Sequence, residues 1–331
     1  MTIDVEKKEI RAVALTPIVQ QTAFWAEVKS YQGIESKAFD FKVKNSEVYV
    51  DDLTKTSTYA DLLILQQALN KDTSIAYVPY GPELEPSEEM QGEFLEELSE
   101  ILRSYLPKSC IGIRYDLAWQ SHWDKPENYN ESNTWEGPPD RKYQEFRLNY
   151  NTNNWNLKRA NSDILPAHTV YLDLIPDEQT LLARMKPKTR YNIHLAARKG
   201  VTVRRAGMEE LPLWYKLYSD TAQRNGIFLN DIEYFKSVLA AKADDTLSPA
   251  TVELLLAEKD GEALAAIFLV LSGNRGTYLY GASSSQHRNC MPTYALQWEA
   301  IRIAKASGCT EYDMFGVSPG PEPSHPLYGL Y

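Results

Sequence analysis

Two stretches of the chain contain the same sequence patterns for secondary structure in the same order. Residues 77–116 run from YVPYGP through a segment with helical spacing of apolar residues to CIGIRYD, and residues 278–316 run from YLYGASS through a second such segment to CTEYDMFG. Each stretch predicts a strand, a helix and a strand, which is a common order in α/β domains. The repetition predicts two α/β units related by duplication, with coincidence as the alternative.

Local periodicity predicts the other elements of the first unit. Alternating apolar residues indicate strands, and apolar residues recurring every three or four positions indicate helices. The pattern predicts a helix at 23–31, a hairpin whose strands 39–43 and 48–50 flank the turn KNSE, a helix at 59–70, a strand at 75–80, a helix around 94–105 and a strand at 110–115.

Between residues 120 and 165 the composition shifts to Asn, Trp, Pro and charged residues, which predicts a long connection between the units. We therefore predict domains at 1–160 and 161–331. In the second domain the pattern predicts strands at 169–175, 201–205, 252–258, 263–272, 277–281 and 311–315, and helices at 177–185, 188–199, 211–224, 231–241 and from Pro292 to a stop at Ser307-Gly308.

Charge and composition exclude several classes of protein. Lys and Arg total 35 against 45 Asp and Glu, a net charge of −10, so the molecule as a whole repels nucleic acid and anionic lipid, and any phosphate site is local. No apolar stretch approaches the roughly 18 residues of a membrane span, and no signal peptide is evident, which predicts a cytoplasmic protein. The 3 cysteines and 5 histidines lack metal-ligand spacing, so no metal site is predicted.

Residues 185–201, MKPKTRYNIHLAARKGV, concentrate positive charge. If a helix begins at Pro187, then Lys188 and Arg190 lie beside free backbone N–H groups at the positive end of the helix dipole. Cations are unfavourable there unless an anion binds, so the pattern indicates a phosphate or diphosphate site, with His194 as an additional contact. A solvated basic face is the alternative.

A second candidate site follows the predicted strand 75–80, in the sequence YGPELE. Ligand sites in α/β sheets favour the carboxyl ends of strands. Glu85 near Tyr80 is suited to hold an ammonium group or to accept a proton. An acidic loop that leads into a helix is the alternative interpretation.

The basic segment, YGASSSQHRNCMPTYALQWEAIRIAKASGCTEYDMFGVSPG, the N-terminal QQTAFWAEVK and the central YVPYGPELE together resemble the Fem family of non-ribosomal peptidyl transferases, also known as methicillin-resistance proteins. The resemblance implies an α/β (α+β) fold of tandem acetyltransferase-like (GNAT) domains with a cleft between them. It also implies transfer of an amino acid from aminoacyl-tRNA to an amine on the stem peptide of a peptidoglycan precursor, without a cofactor.

The resemblance carries over residue by residue. The positions that match the family's precursor-binding residues are Lys29 in WAEVK, Tyr80, Lys188, Arg190 and Tyr234 in DIEYF, with His194 as a weaker match. The family carboxylate after the GP motif is commonly aspartate, and Glu85 stands there in this chain as the candidate catalytic residue. The acceptor is UDP-MurNAc-pentapeptide or a lipid-linked precursor.

Some members carry a helical-hairpin arm, but residues 201–250 lack a heptad series, so the chain is expected to belong to the armless subgroup. The family usually continues past HPLYGLY with a Phe-Lys segment, whereas this sequence stops at Tyr331. We expect a monomer without stable membrane insertion, and tRNA contacts that are confined to the acceptor end and a basic patch of the second domain and are sensitive to salt.

Two other functions stay open at this point. An acyl-CoA-dependent N-acyltransferase of the same fold would need a glycine-rich loop where this chain reads QHRNCMP, and without those glycines the backbone approaches a diphosphate less closely. A non-catalytic protein that binds nucleotide-sugar peptides is the second alternative. The transferred amino acid and the accepting amine are not specified by the sequence.

Overall fold

The computed structural model describes residues 1–52, 54–124, 137–226, 228–318 and 320. The chain divides into two compact units. The first comprises Met1–Ala14 with Gln20–Ala167, and the second comprises Leu15–Val19 with the chain from His168 onward. The predicted domain boundary at 160 lies a few residues before this division. The prediction for the chain end at Tyr331 lies outside the described residues.

The first unit is a five-stranded sheet in the order β1-β2-β3-β4-β5, antiparallel except for the parallel pair β4 and β5. Helix α3 connects that parallel pair. The elements are β1 Ile3–Lys8, α1 Ala23–Tyr31, β2 Glu35–Lys44, α2 Asn45–Val48, β3 Ser57–Ala68, β4 Ser74–Pro79, α3 Gln91–Arg103, β5 Cys110–Asp116 and α4 Arg141–Asn149.

Three local predictions for this unit were wrong. The predicted helix at 59–70 is strand β3, which buries Leu62, Leu63, Ile64 and Leu65 in succession because both of its faces are covered, so alternation is lost. The turn KNSE opens the helical turn α2, and β2 pairs with β3 rather than with residues 48–50. The connection at 120–165 contains helix α4.

The second unit is a six-stranded sheet in the order β6-β11-β10-β9-β8-β7, in which only β10 and β11 are parallel. Helix α9 connects that pair. The elements are β6 Tyr171–Asp173, α5 Glu178–Arg184, α6 Pro187–Arg198, β7 Thr202–Ala206, α7 Leu211–Asn225, α8 Ile232–Ala240, β8 Thr251–Lys259, β9 Glu262–Ser272, β10 Arg275–Ser283, α9 Pro292–Ala306 and β11 Glu311–Asp313.

The two units share one topology. In each, a strand, one or two helices and three antiparallel strands are followed by a helix and a parallel strand. The order β1–β5 corresponds to β7–β11, and β6 is an addition to the second unit. The shared order supports duplication over coincidence. Between β7 and β8 the chain forms α7, of 15 residues, and α8, of 9 residues.

Each unit has its own core. In the first, Phe39, Phe41 and Phe94 pack between the sheet and α3, and in the second, α9 covers one sheet face while Trp214 and Phe235 lie among aromatic residues. Among the described helices none combines the length and the apolar composition that a bilayer crossing requires.

Candidate functional site

The end of strand β4 is held by Gln21, which immediately precedes the N-cap of α1. Its side-chain oxygen accepts a hydrogen bond from the Leu63 N–H at 2.8 Å, and its Nε2 donates to the Pro79 carbonyl at 2.6 Å. A Cβ at Gly81 would lie 2.8 Å from Gln21 Cδ, so the close approach requires glycine. Gln21 thus joins β3 to the exit of β4, and Gly81 and Pro82 turn the chain away through a cis peptide bond.

Tyr80 leaves this strand end in the left-handed backbone region, with φ 49°. Its hydroxyl donates to the Pro166 carbonyl at 2.5 Å and lies half-buried. The hydrogen bond fixes the direction of the phenol ring. The structure therefore places the predicted ligand-binding tyrosine against the last residues of the first unit.

Glu85 lies at the surface of the loop after β4. Its Oε1 accepts a hydrogen bond from the Gln120 backbone N–H at 3.1 Å. Partial desolvation around the carboxylate, together with the negative charge of Glu88, raises the pKa of Glu85, while the Gln120 hydrogen bond opposes the rise. A carboxylate with a raised pKa is a stronger proton acceptor, and this suits a general base.

Glu88 is itself held by two basic side chains that the sequence analysis did not single out. Its Oε2 lies 2.5 Å from His122 Nδ1 and accepts a hydrogen bond from Arg147 at 3.2 Å. These contacts fix a carboxylate close to Glu85. No sequence pattern indicated this trio, because its members come from three separate segments of the first unit.

Lys29 lies on α1 and is 9% exposed. Its Nζ donates to Gln32 Oε1 at 2.9 Å and lies 4.8 Å from the ring centroid of Trp25. Burial lowers the pKa of Lys29 to about 8. A lysine in this environment gains from an anionic ligand, which would restore the preference for the charged form.

The Lys29 pKa predicts a pH dependence of stability. Because the pKa falls from 10.5 in the free side chain to about 8, the unfolded chain binds more protons between these pH values, and the free energy of unfolding rises with pH through that window. We expect the free energy of unfolding of wild type minus that of Lys29→Met to rise by about 3 kcal/mol across the window.

Urea unfolding at a series of pH values measures this difference. Lys142→Met, which removes an exposed lysine, controls for the loss of one positive charge. A difference between wild type and Lys29→Met that stays constant with pH would contradict the depressed pKa.

Helix α6 begins at Pro187, as predicted. Lys188 and His194 are exposed, whereas the Arg190 guanidinium donates to the carbonyls of Ala183 at 3.0 Å and Met185 at 2.5 Å, at the end of α5. Arg190 therefore stabilises the C-terminal end of the preceding helix, where a cation is favourable. This contact explains why a cation occupies the first turn of α6. The explanation does not require a bound anion.

Tyr234 lies on α8, and its hydroxyl is 2.6 Å from the Tyr280 hydroxyl on β10. Burial raises the pKa of both phenols, so the pair is neutral at physiological pH. Tyr280 also contacts Phe235 and Phe268, which places Tyr234 at the edge of the aromatic core of the second unit.

The sequence model of the FemAB family matches residues 15–250, more than half of the chain. The chain belongs to the FemAB family. The model of the acetyltransferase (GNAT) domain matches residues 183–323. The crystal structure of FemX superposes with a TM-score of 0.65 at 18% identity, over 98% of this chain and 92% of FemX. These matches confirm the inferred resemblance and the tandem GNAT fold.

Two related proteins are Lipid II:glycine glycyltransferases. The protein from Staphylococcus epidermidis is 25% identical over 225 residues, covering 51% of this chain and 54% of the relative. The protein from Staphylococcus aureus is 23% identical over 230 residues, covering 51% and 55% respectively. The FemAB chain described here thus spans about half the length of these relatives.

The predicted site residues of this FemAB protein fall in both units. Lys29, Tyr80 and Glu85 belong to the first unit, and the remaining positions, Lys188, Arg190, His194 and Tyr234, belong to the second. Within the second unit, Arg190 and His194 share one face of α6 through their spacing of four residues. Their roles toward a ligand stay predictions.

Asp116 is a further structural residue that the sequence analysis did not single out. Asp116, at the end of β5, accepts hydrogen bonds from the Tyr77 hydroxyl at 2.9 Å and from the backbone N–H groups of Ile164 and Leu165 at 3.0 and 2.9 Å. It ties the last turn of the first FemAB unit to the exit of β4. Asp313, which ends β11 in the second unit, likewise accepts from Thr169 and from the Phe315 N–H, so the paired motifs RYD and EYD were the available signal.

The junction between β10 and α9 differs from a glycine-rich phosphate loop. His287 and Met291 have positive φ of 51° and 55°, and residues Arg288–Cys290 form a 3-10 turn. The N–H groups of Cys290 and Met291 donate to the His287 and Arg288 carbonyls at 2.8 and 3.1 Å. Backbone donors that would face a diphosphate are thus used within the FemAB chain itself.

Proposed function

We propose that this protein transfers an amino acid from aminoacyl-tRNA to an amine of the stem peptide of a peptidoglycan precursor. Membership of the FemAB family, together with related proteins named for glycyl transfer to Lipid II, supports this activity. The observation that carries the proposal is Glu85, a surface carboxylate of raised pKa just beyond the strand exit formed by Tyr80, Gly81 and Pro82.

The proposed reaction is aminolysis of an ester. The neutral amine of the acceptor attacks the ester carbonyl, a C–N bond forms, the bond from the carbonyl carbon to the ribose oxygen breaks, and the amine proton passes to that oxygen. Glu85 accepts the proton during attack and returns it to the leaving group. Because the ester is already reactive, orientation of the two substrates supplies several kcal/mol of the acceleration.

The precursor is the anionic partner in this proposal. Its diphosphate requires cations, and we propose Lys29 in the first unit and Lys188 in the second as separate candidates. Lys29 is buried with a lowered pKa, and Lys188 is exposed in the first turn of α6. The relatives named for Lipid II favour a lipid-linked acceptor, with UDP-MurNAc-pentapeptide as the soluble analogue. Action in the cytoplasm as a monomer, without a cofactor, is part of the same proposal.

Acyl-CoA-dependent N-acyl transfer is the second candidate, because the GNAT domain model matches residues 183–323. The junction before α9 disfavours it, since the N–H groups of Cys290 and Met291 are already hydrogen-bonded within the turn. A protein that binds nucleotide-sugar peptides without turnover is the other alternative. It predicts precursor binding and no product.

A transfer assay tests the proposal. Aminoacyl-tRNAs charged with radiolabelled amino acids are incubated with the protein and either UDP-MurNAc-pentapeptide or Lipid II, and labelled amide is counted. We expect transfer to at least one acceptor and a loss of about a hundredfold in Glu85→Gln, because the amide cannot take the amine proton.

Glu83→Gln removes another exposed carboxylate of the same loop and is the matched control. We expect it to transfer at the wild-type rate. Wild-type turnover by Glu85→Gln would show that Glu85 is not the base. Transfer from acetyl-CoA but from no charged tRNA would replace the proposed donor.

A further inference from the structure

Helix α4 and the loop after it expose a group of aromatic side chains, which we call the aromatic patch. Tyr143, Phe146, Tyr150 and Trp155 are 56%, 57%, 59% and 50% exposed. The Phe146 ring lies 5.7 Å from Trp155 and 6.4 Å from Tyr150, measured between centroids. Contiguous exposed apolar surface of this kind marks an interaction site.

The patch is presented by a firmly docked segment. The Leu148 carbonyl packs directly against Gly92 on α3. A Cβ at position 92 would lie 1.8 Å from the carbonyl oxygen. The buried carboxylate of Glu96 accepts the N–H groups of Asn153 and Asn154 at 2.6 and 2.8 Å. The aromatic rings are therefore held at the surface by buried polar contacts.

Asn149 and the backbone of Trp155 also show that the segment carrying the patch has a defined conformation. Asn149 is buried and bonds the Leu157 backbone in both directions, through Nδ2 at 2.9 Å and Oδ1 at 3.0 Å. Trp155 has φ 52°, a region that bulky side chains rarely adopt. In this conformation the indole is 50% exposed.

The charge around the patch contrasts with that of the whole chain. Residues 137–164 contain five basic and three acidic side chains, a net charge of +2, in a protein of net −10. Lys142 lies 4.8 Å from the ring centroid of Tyr143. Lys158 and Arg159 follow Trp155 in the sequence and lie 3.6 and 3.3 Å from Glu145 and Asp163. The segment as a whole keeps an excess of two basic side chains.

We infer that the aromatic patch binds the surface of an anionic lipid bilayer. Tyr, Trp and Phe favour the boundary between head groups and acyl chains, and flanking Lys and Arg are attracted to anionic lipid. The rings contact one another at interplanar angles of 65° and 46° and form one continuous apolar surface. Nucleic-acid bases would instead need open ring faces on which to stack.

This inference deepens the proposed function, on which its purpose rests. A lipid-linked acceptor confines the reaction to the membrane surface, and a chain of net charge −10 is otherwise repelled from anionic lipid. The patch would hold the first unit at that surface.

Vesicle cosedimentation tests the inference. Wild type and Phe146→Ser/Trp155→Ser are mixed with vesicles of phosphatidylglycerol and phosphatidylcholine in equal parts, and with vesicles of phosphatidylcholine alone. We expect wild type to bind the anionic vesicles, more weakly at high salt, and the double variant to bind roughly tenfold more weakly. Tyr31→Ser/Tyr59→Ser removes two exposed aromatic residues elsewhere in the first unit and is expected to bind like wild type.

Circular dichroism verifies that the variants are folded. Equal vesicle binding by wild type and the patch variant, or no binding by wild type, overturns the inference. Loss of tRNA binding or of self-association in the patch variant, with vesicle binding unchanged, assigns the patch to RNA or to a second copy and also overturns it. Transfer to the soluble UDP-linked acceptor reports on the proposed function separately, and we expect the patch variant to retain it.

Discussion

Asp116→Ala is expected to lower the free energy of unfolding by about 4 kcal/mol. The side chain is 9% exposed and accepts hydrogen bonds from Tyr77, Ile164 and Leu165. Without the carboxylate, a buried phenol and two backbone N–H groups lose their acceptor, and Arg114, which lies 3.3 Å from Oδ1, loses an opposite charge. Urea unfolding followed by circular dichroism measures the change.

Asp245→Ala, which removes an exposed aspartate of the second unit, is the control and should change stability little. Asp116→Asn keeps one acceptor oxygen and should lie between the wild type and the alanine variant. If Asp116→Ala has the same urea midpoint of unfolding as wild type, Asp116 does not stabilise the first unit. Water would then replace the carboxylate without loss of free energy.

Gly92→Ala is expected to lower the free energy of unfolding by about 3 kcal/mol, although alanine is the better helix former by roughly 1 kcal/mol. The added Cβ would lie 1.8 Å from the Leu148 carbonyl oxygen and 2.9 Å from its carbon. Backbone atoms cannot rotate aside as a flexible side chain does, so α4 must move away from α3. The same measurement of urea unfolding detects the loss.

Gly112→Ala provides the matched control, because a Cβ at Gly112 meets nothing within 4 Å. It is expected to leave stability within a few tenths of a kcal/mol of wild type. A Gly92→Ala protein as stable as Gly112→Ala would mean that the contact between α3 and α4 yields without cost. The aromatic patch on α4 would then lack the firm support described above.

Much of the fold follows from patterns that are local in the chain. The predicted helix 23–31 coincides with α1, and the helix predicted from Pro292 coincides with α9, because an N-terminal cap or proline and a helical apolar spacing mark both. The strands of both crossovers were also predicted. The error at 59–70 arose because TYADLLILQQALN has helical spacing, and only burial on both faces within the sheet makes it strand β3.

The candidate site shows a similar division between local and distant information. Glu85 was selected because it follows a predicted strand and matches the family carboxylate, and Tyr80, which ends that strand, was selected through the family resemblance. Their environments, the N–H of Gln120 on Glu85 and the carbonyl of Pro166 on Tyr80, come from residues 35 and 86 positions away. For Arg190 the local pattern indicated the helix start, and the neighbouring helix α5 supplied its partners.

The sequence by itself determined the repeated strand, helix and strand, the family and the residue types of the site, since periodicity and motifs are properties of neighbouring residues. The tertiary structure decided which groups Asp116 and Glu96 satisfy, how Arg190 is used and which aromatic side chains stay exposed. Those outcomes depend on contacts between residues far apart in the chain, and burial there changes the cost of each charge and each unpaired polar group.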